Sequence, residues 1–302
     1  MRQSNSLKKK KPAKIRLAIS VGDPAGIGPE VAAKAMADPG LRRLADFMVF
    51  AEPFQGPKAR PSAASGAVAL SNVRNAAQAV MQGQANALVT APISKEALHL
   101  AGAHYAGHTE LLAQMAAKKS DEVGMLLVGG GLRVFLASRH VSLEEAIRVT
   151  DAVHLRKAIR ICGSGMAKAY GMKRPRLALA ALNPHAGEAG AFGTQEINIL
   201  RPLVKSLQSD KRFKLSGPFP ADTVFVKAVA GDFDAVVCLY HDQGLIPLKL
   251  LAFDTGVNVT LGLPFVRTSP DHGTAYDIAG MDKASPESMK EAIRLAVELA
   301  RI

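Results

Sequence analysis

Short apolar runs rich in β-branched and aromatic residues alternate along this chain with longer stretches whose apolar positions recur every three to four residues. The short runs predict strands over residues 15–20, 47–51, 87–90, 132–137, 177–181, 235–239 and 257–261. The longer ones predict helices over residues 69–82, 143–162, 195–207 and 286–300, the last with Ser285 as N-cap and Pro286 in the first turn. Strands alternating with helices in this way predict an α/β protein, a parallel sheet covered by helices. Residues 53–65, rich in Pro, Gly, Ala and Ser, read as a surface connection, and there is no internal repeat or long low-complexity segment.

Composition narrows the classes. A chain of 302 residues that is 48% hydrophobic can fill one large core or two of ordinary size. No run approaches the roughly 18 apolar residues of a bilayer span, and the first fifteen residues carry no signal-type apolar stretch, so a cytoplasmic, membrane-free protein is expected. Cys162 and Cys238 show no metal-binding spacing, and Cys238 lies in an apolar run that suits a buried, inert thiol. The net charge of +12 invites a nucleic-acid reading. Seven basic residues, however, precede the first acid, and removing Arg2, Lys8, Lys9, Lys10, Lys11, Lys14 and Arg16 leaves +5. Without Trp, and with only four Tyr, the body lacks a stacking platform for bases, so no nucleic-acid partner is expected.

The candidate chemistry gathers at strand ends. Gly22-Asp-Pro-Ala-Gly-Ile-Gly-Pro-Glu30 follows a predicted strand and opens a predicted helix, and its glycines permit close backbone approach to an anion; a structural turn is the alternative. Its spacing is neither Gly-x-Gly-x-x-Gly nor a Walker loop, which excludes the ordinary Rossmann and P-loop readings. His140, His185 and His241 each fall at or just beyond the end of a predicted strand, where open α/β sheets bind ligands. Three imidazoles so placed can converge on one metal with an open coordination position, a set that suits Zn²⁺ or Co²⁺ better than Mg²⁺. Each alone reads as a hydrogen-bonded structural histidine, and His99, His104 and His154, in helical or loop patterns, are read as structural. Gly107-His108-Thr109-Glu110 leads into a helical run whose N-terminus can receive phosphate or carboxylate, with capping by Thr109 as the alternative. Lys249, Asn258 and Arg267 lie in or beside apolar strand-like segments, where a cation needs an anionic partner; that partner is either a ligand or a structural acid. Asp271 to Gly280 forms a polar loop able to wrap a ligand.

Taken together, the Gly22 and Gly107 motifs, Asn183-Pro-His-Ala-Gly-Glu188, Gly217-Pro-Phe-Pro-Ala-Asp-Thr223, Tyr240-His-Asp-Gln-Gly244 and residues 257–280 resemble the 4-hydroxythreonine-4-phosphate dehydrogenase family of pyridoxal phosphate biosynthesis. The motifs stand in that family's order and span nearly the whole chain beyond the basic tail. The resemblance implies a two-domain isocitrate/isopropylmalate-dehydrogenase-like fold with parallel or mixed sheets flanked by helices. Residues 15–125 with 257–302 would form the cofactor side and 126–256 the metal and dimer side, with the active site in the cleft between them and residues 1–14 as a disordered tail. It implies that His140, His185 and His241 hold one divalent metal ion (Zn, Co or Mg), and that His108, Thr109, Lys249, Asn258 and Arg267 contact the substrate. It also implies a homodimer whose active sites draw on both subunits. His272, Gly273, Thr274, Ala275, Asp277 and Ile278 match the adenine-side loop of related decarboxylating dehydrogenases. There an acid at Asp277 favours a free ribose hydroxyl, and so NAD over NADP. Residues 50–67 depart from the family in being shorter than in typical members.

The reaction implied is NAD-dependent oxidation and decarboxylation of 4-phosphooxy-L-threonine to 3-amino-2-oxopropyl phosphate, a metal assisting both steps, with Asp242 and Lys249 as candidate general bases. The alternatives are a related dehydrogenase for a four-carbon sugar-acid phosphate of the erythronate or threonate type and, more remotely, an acyl-phosphate transferase on the same broad fold.

Overall fold

In the computed structural model, which describes residues 14–302, every apolar run predicted as a strand forms one, and three further strands join them. Apart from Lys14, the expected basic tail lies outside the described residues. The strands are β1 (Ile15–Ser20), β2 (Ala45–Phe50), β3 (Ala87–Thr90), β4 (Gly124–Gly129), β5 (Leu132–Leu136), β6 (Arg176–Ala180), β7 (Lys214–Phe219), β8 (Ala235–Cys238), β9 (Val257–Leu261) and β10 (Val266–Pro270). They form one sheet in the order β2-β1-β3-β10-β9-β4-β5-β8-β6-β7. Pairing is parallel in both outer parts and antiparallel where β10, β9, β4 and β5 meet, so the sheet is mixed.

Successive side chains of a strand point to opposite faces, and the core follows that alternation. Leu17, Ile19, Val89, Val259, Leu126, Val237 and Leu179 enter one continuous apolar cluster with the helices Gly28–Ala37, Ala152–Ala169, Arg201–Leu207 and Glu287–Leu299. The other face is divided. Ala18 and Leu88 pack with the helices Ala63–Met81 and His108–Met115, while Leu127, Val134, Leu136, Ala178 and Val236 pack with Val224–Val229 and His241–Ala252. Between these two clusters the same alternation aims Thr90, Asn258, Thr260, Arg267 and Ser269 at that face, so polar side chains interrupt the apolar layer at the middle of the sheet.

Local chemistry explains where expectation and structure differ. The single helix expected over 143–162 is two, Leu143–Arg148 and Ala152–Ala169: the Thr150 hydroxyl donates to Ala146 O at 2.8 Å, and Asp151 caps the second helix by accepting from Val153 N and His154 N. The helix expected from residue 69 starts at Ala63, where Ser62 and Ser65 form a capping box, so the supposed surface connection ends inside it. The final helix starts at Glu287 with Pro286 as its N-cap, one residue later than the Ser285 cap predicts. No helix among the described residues is long and apolar enough to cross a membrane. Cys162 and Cys238 are both fully buried, and burial pushes both thiols up, as suits inert core residues.

Candidate active site

The interruption in the apolar layer is the floor of a cavity of about 320 Å³. Thr90, His108, Thr109, His140, His241, Asn258 and Arg267 all line it, together with His272 and Gly273. Arg267, only 2% exposed, is its chemical centre. The guanidinium donates to Thr90 Oγ1 at 2.7 and 3.2 Å and to Thr260 Oγ1 at 3.0 Å, and it forms no ion pair among the described residues. Burial pushes its pKa down to about 9, partly offset by Glu110, so it stays charged at neutral pH. A buried cation satisfied only by neutral hydroxyls is costly unless an anion reaches it. Other lining groups lack partners, among them His108 Nε2 and Asn258 Oδ1, which are buried with no hydrogen bond from the described residues. Burial, and secondarily Arg267, holds His108 well below the usual imidazole value, which keeps it neutral.

Thr109 does not cap its helix. Gly107 occupies that position, and the Thr109 side chain is buried at the cavity. Lys249 stands outside the lining: its ammonium donates to Asp271 O at 2.8 Å and lies 2.7 Å from Asp271 Oδ2, close but misaligned as a hydrogen bond. It reaches the cavity through Asp271, which lines it.

β5 and β8 run parallel as neighbours, and the residues just past their ends bring His140 and His241 together, with ring centroids 5.6 Å apart. His241 Nδ1 donates to Asp242 Oδ1 at 2.7 Å, which leaves Nε2 as the free lone pair. Burial, with Lys95 and His241 adding to it, lowers the pKa of His140 toward the neutral form that a metal requires. His185, which follows β6, does not join them, and within one chain the described residues contain no group of three potential ligands. It sits exposed on an unusual turn in which His185, Ala186, Gly187, Glu188 and Ala189 all have positive φ, between 37° and 78°. Left-handed backbone is unfavourable for the four non-glycine residues, and the buried Glu196 pins the start of this turn, accepting from Leu182 N, Asn183 N and Asn183 Nδ2 at 2.8 Å each. His140 and His241 therefore fit a metal by donor type, and within one chain they are two of the three histidines expected to hold it.

The loop at the cavity rim is fastened to the loop after β1. Ile27 N donates to Thr274 O at 2.9 Å, and Tyr276 donates to Asp23 Oδ2 at 2.6 Å. A Cβ on Gly26 would lie 2.7 Å from Thr274 O, so glycine is what permits this approach. Ala275 takes a left-handed conformation (φ 39°) between the two fastened residues, while Asp277, His272 and Gly273 remain exposed. Ile278 packs against the continuous apolar cluster and anchors the far side of the loop.

Sequence reasoning missed Lys95, Glu110 and Arg139 as cavity-lining charges. For Arg139 a signal existed: it directly precedes His140 at the same strand end. Lys95 opens a short helix whose place beside the cavity only the tertiary fold determines.

A mixed α/β sheet flanked by helices defines a fold class that decarboxylating dehydrogenases share. The solved structure of a β-decarboxylating dehydrogenase from Thermococcus kodakarensis shares that fold at a TM-score of 0.51 and 14% identity, over 93% of this chain and 81% of that one. More specifically, the chain belongs to the family described as pyridoxal phosphate biosynthetic protein PdxA, whose model matches residues 26–296, and so to a family of dehydrogenases. It is 42% identical to a 4-hydroxythreonine-4-phosphate dehydrogenase of Geobacter metallireducens, over 96% of both chains. It is 40% identical to a D-threonate 4-phosphate dehydrogenase of Salmonella typhimurium, over 94% of this chain and 98% of that one. The crystal structure of 4-hydroxythreonine-4-phosphate dehydrogenase from Klebsiella pneumoniae superposes at a TM-score of 0.84 with 37% identity, covering 95% of this chain and all (100%) of that one.

Proposed function

We propose that this chain oxidises 4-phosphooxy-L-threonine with NAD and releases CO₂, giving 3-amino-2-oxopropyl phosphate. The observation that carries the reading is Arg267, a buried cation without an acid, in a cavity where His108 and Asn258 also present unpaired atoms. Such a site is prepared for a small anion. Arg267 takes one anionic group of the substrate by its planar fork, while Asn258, His108 and Thr109 take the remaining polar atoms. Neither candidate base lines the cavity: Asp242 is an exposed carboxylate bound to His241, and the Lys249 ammonium is engaged by Asp271. Lys249 then orients Asp271 at the cavity wall.

A divalent ion held by His140 and His241, with His185 of the partner subunit as third ligand, would polarise the oxygen at the reacting carbon. A homodimer is supported by an unpartnered apolar stripe. Ile246 and Leu250 are 61% and 83% exposed on the helix that begins with His241, Phe253 at its C-cap is 74% exposed, and Val226 is 73% exposed on a helix of the same core cluster. The cofactor lies along residues 272–278, where exposed Asp277 suits a free ribose hydroxyl and therefore NAD. The antiparallel contact of β9 with β4 is the seam between the two expected domains, residues 15–125 with 257–302 and residues 126–256, and the protein works in the cytoplasm.

A second reading, oxidation of a threonate- or erythronate-type 4-phosphate, is favoured by the Salmonella typhimurium relative, and the same anion contacts serve it. Offering both substrates to the purified chain with NAD and with NADP, and comparing kcat/KM and CO₂ release, separates the two. A kcat/KM higher for the sugar-acid phosphate would replace the first reading with the second.

A further inference from the structure

Arg139 enters the cavity on a backbone fixed between neighbouring strand ends. Ala137 N donates to Cys238 O at 2.8 Å, and the Ser138 hydroxyl donates to Leu239 O at 2.7 Å. The side chain lines the same cavity as Arg267 and Lys95. Its Nη1 is buried and has no hydrogen-bond partner among the described residues. Glu110 approaches Nη2 only to 3.7 Å, too far for a hydrogen bond, and the same carboxylate also acts on Arg267. Lys95, Arg139 and Arg267 thus face two lining carboxylates, Glu110 and Asp271, of which Asp271 is already engaged by Lys249. A guanidinium held at a cavity wall with a buried, unsatisfied N–H is poised for an oxyanion that the chain itself does not provide.

We propose that Arg139 is a second anion clamp, taking an oxyanion of the substrate other than the one held by Arg267. The proposal rests on the substrate being a phosphorylated hydroxy acid, which carries two such groups, a carboxylate and a phosphate. Arg139 then selects for substrates with both: a hydroxy acid without phosphate, or a phosphate ester without carboxylate, leaves one arginine unanswered.

The test is steady-state kinetics of the wild type, Arg139→Met and Arg139→Lys with the phosphorylated substrate, with inorganic phosphate as competing ligand. Arg139→Met is expected to raise KM about tenfold to a hundredfold while kcat changes little, and Arg139→Lys to recover part of the loss. The melting temperature should not fall, since the group removed has an unsatisfied N–H. If Arg139 takes the phosphate, inhibition by inorganic phosphate weakens in parallel; if it takes the carboxylate, that inhibition is unchanged while KM still rises. An unchanged KM, with or without a lowered melting temperature, assigns Arg139 to a structural pair with Glu110 and overturns the proposal. A wild type that oxidises no phosphorylated hydroxy acid overturns the substrate reading instead. Calorimetric titration with inorganic phosphate and with malonate then decides Arg139 separately: weaker binding of either probe to Arg139→Met supports the clamp, and equal binding of both refutes it.

Discussion

Arg267 concentrates the residue-scale argument, because its burial has no structural compensation beyond two threonine hydroxyls. Replacing it with Ala should lower kcat/KM about tenfold to a hundredfold, since a hydrogen bond to a charged group is worth ~1.5–3 kcal/mol. Arg267→Lys should restore only part, because an ammonium cannot reproduce the fork. Lys249→Ala separates the two readings of that residue by melting temperature and kinetics on one preparation: a structural pair with Asp271 predicts lost stability with near-normal kinetics, a role at the site predicts the reverse. His108 makes a pH prediction. Its pKa is depressed in the folded chain, so its contribution to stability is complete above the unfolded imidazole value and is lost as pH falls through the folded one. Denaturant midpoints at about pH 7.5 and about pH 5.5 should therefore differ more for the wild type than for His108→Gln; an equal difference would remove His108 from the acid-labile groups. His108, Thr109, His140, His241, Asn258 and Arg267 were each singled out as polar or basic residues in or beside apolar runs, with a structural alternative for each, and only the family resemblance joined them as a set; the fold brings all six to one cavity. Lys249 was legible only as a cation in need of an acid, and the acid it found belongs to the chain.

At the scale of elements, the contact between residues 22–30 and 272–278 decides where the rim loop stands. Gly26→Ala would force a Cβ against Thr274 and push the two loops apart. It should raise KM for NAD about tenfold, at a stability cost of about 1–3 kcal/mol from overpacking, while leaving substrate affinity in place. An unchanged KM for NAD would dissociate this loop from the cofactor. β1, β3 and β9 were predicted to the residue because they are apolar runs bounded by turn residues. β7 escaped notice because it contains Gly217 and Pro218, which an edge strand tolerates, and β7 ends the sheet. β10 reads Val-Arg-Thr-Ser-Pro, polar in sequence yet almost wholly buried, since Arg267 donates to Thr90 and Thr260 on the neighbouring strands, Thr268 donates to a helix carbonyl and Ser269 lines the cavity. β4, flanked by glycines, is defined by antiparallel pairing on both sides, which no local pattern reports.

The whole-molecule expectation is that one chain holds two histidines of the metal site and presents the third outward for another chain. Leu250→Glu, in the exposed stripe, should shift the protein from dimer to monomer by light scattering and abolish metal retention; a dimer that keeps its metal would remove the stripe from the interface. Mixing inactive His185→Ala with inactive His241→Ala chains should regain up to about a quarter of wild-type activity, because half of the randomly formed dimers contain one intact site. No recovery after demonstrated exchange would place all three histidines in one chain or none in the site. Sequence reading reached the class of fold, and it pointed to strand ends for the candidate site. It grouped His185 with His140 and His241, which the structure does not do within one chain, since the left-handed turn that carries His185 is set by a buried Glu196 eleven residues downstream.

The central claim is that this cavity binds and oxidises a phosphorylated hydroxy acid, and absorbance of reduced nicotinamide tests it most directly. Purified wild type with a divalent cation, NAD and 4-phosphooxy-L-threonine should generate the signal continuously, and Arg267→Ala, folded to the same melting temperature within a few degrees, should generate it at about a tenth to a hundredth of the kcat/KM. Undiminished turnover in Arg267→Ala, or no reduced nicotinamide from the wild type with either this substrate or threonate 4-phosphate, would contradict the account.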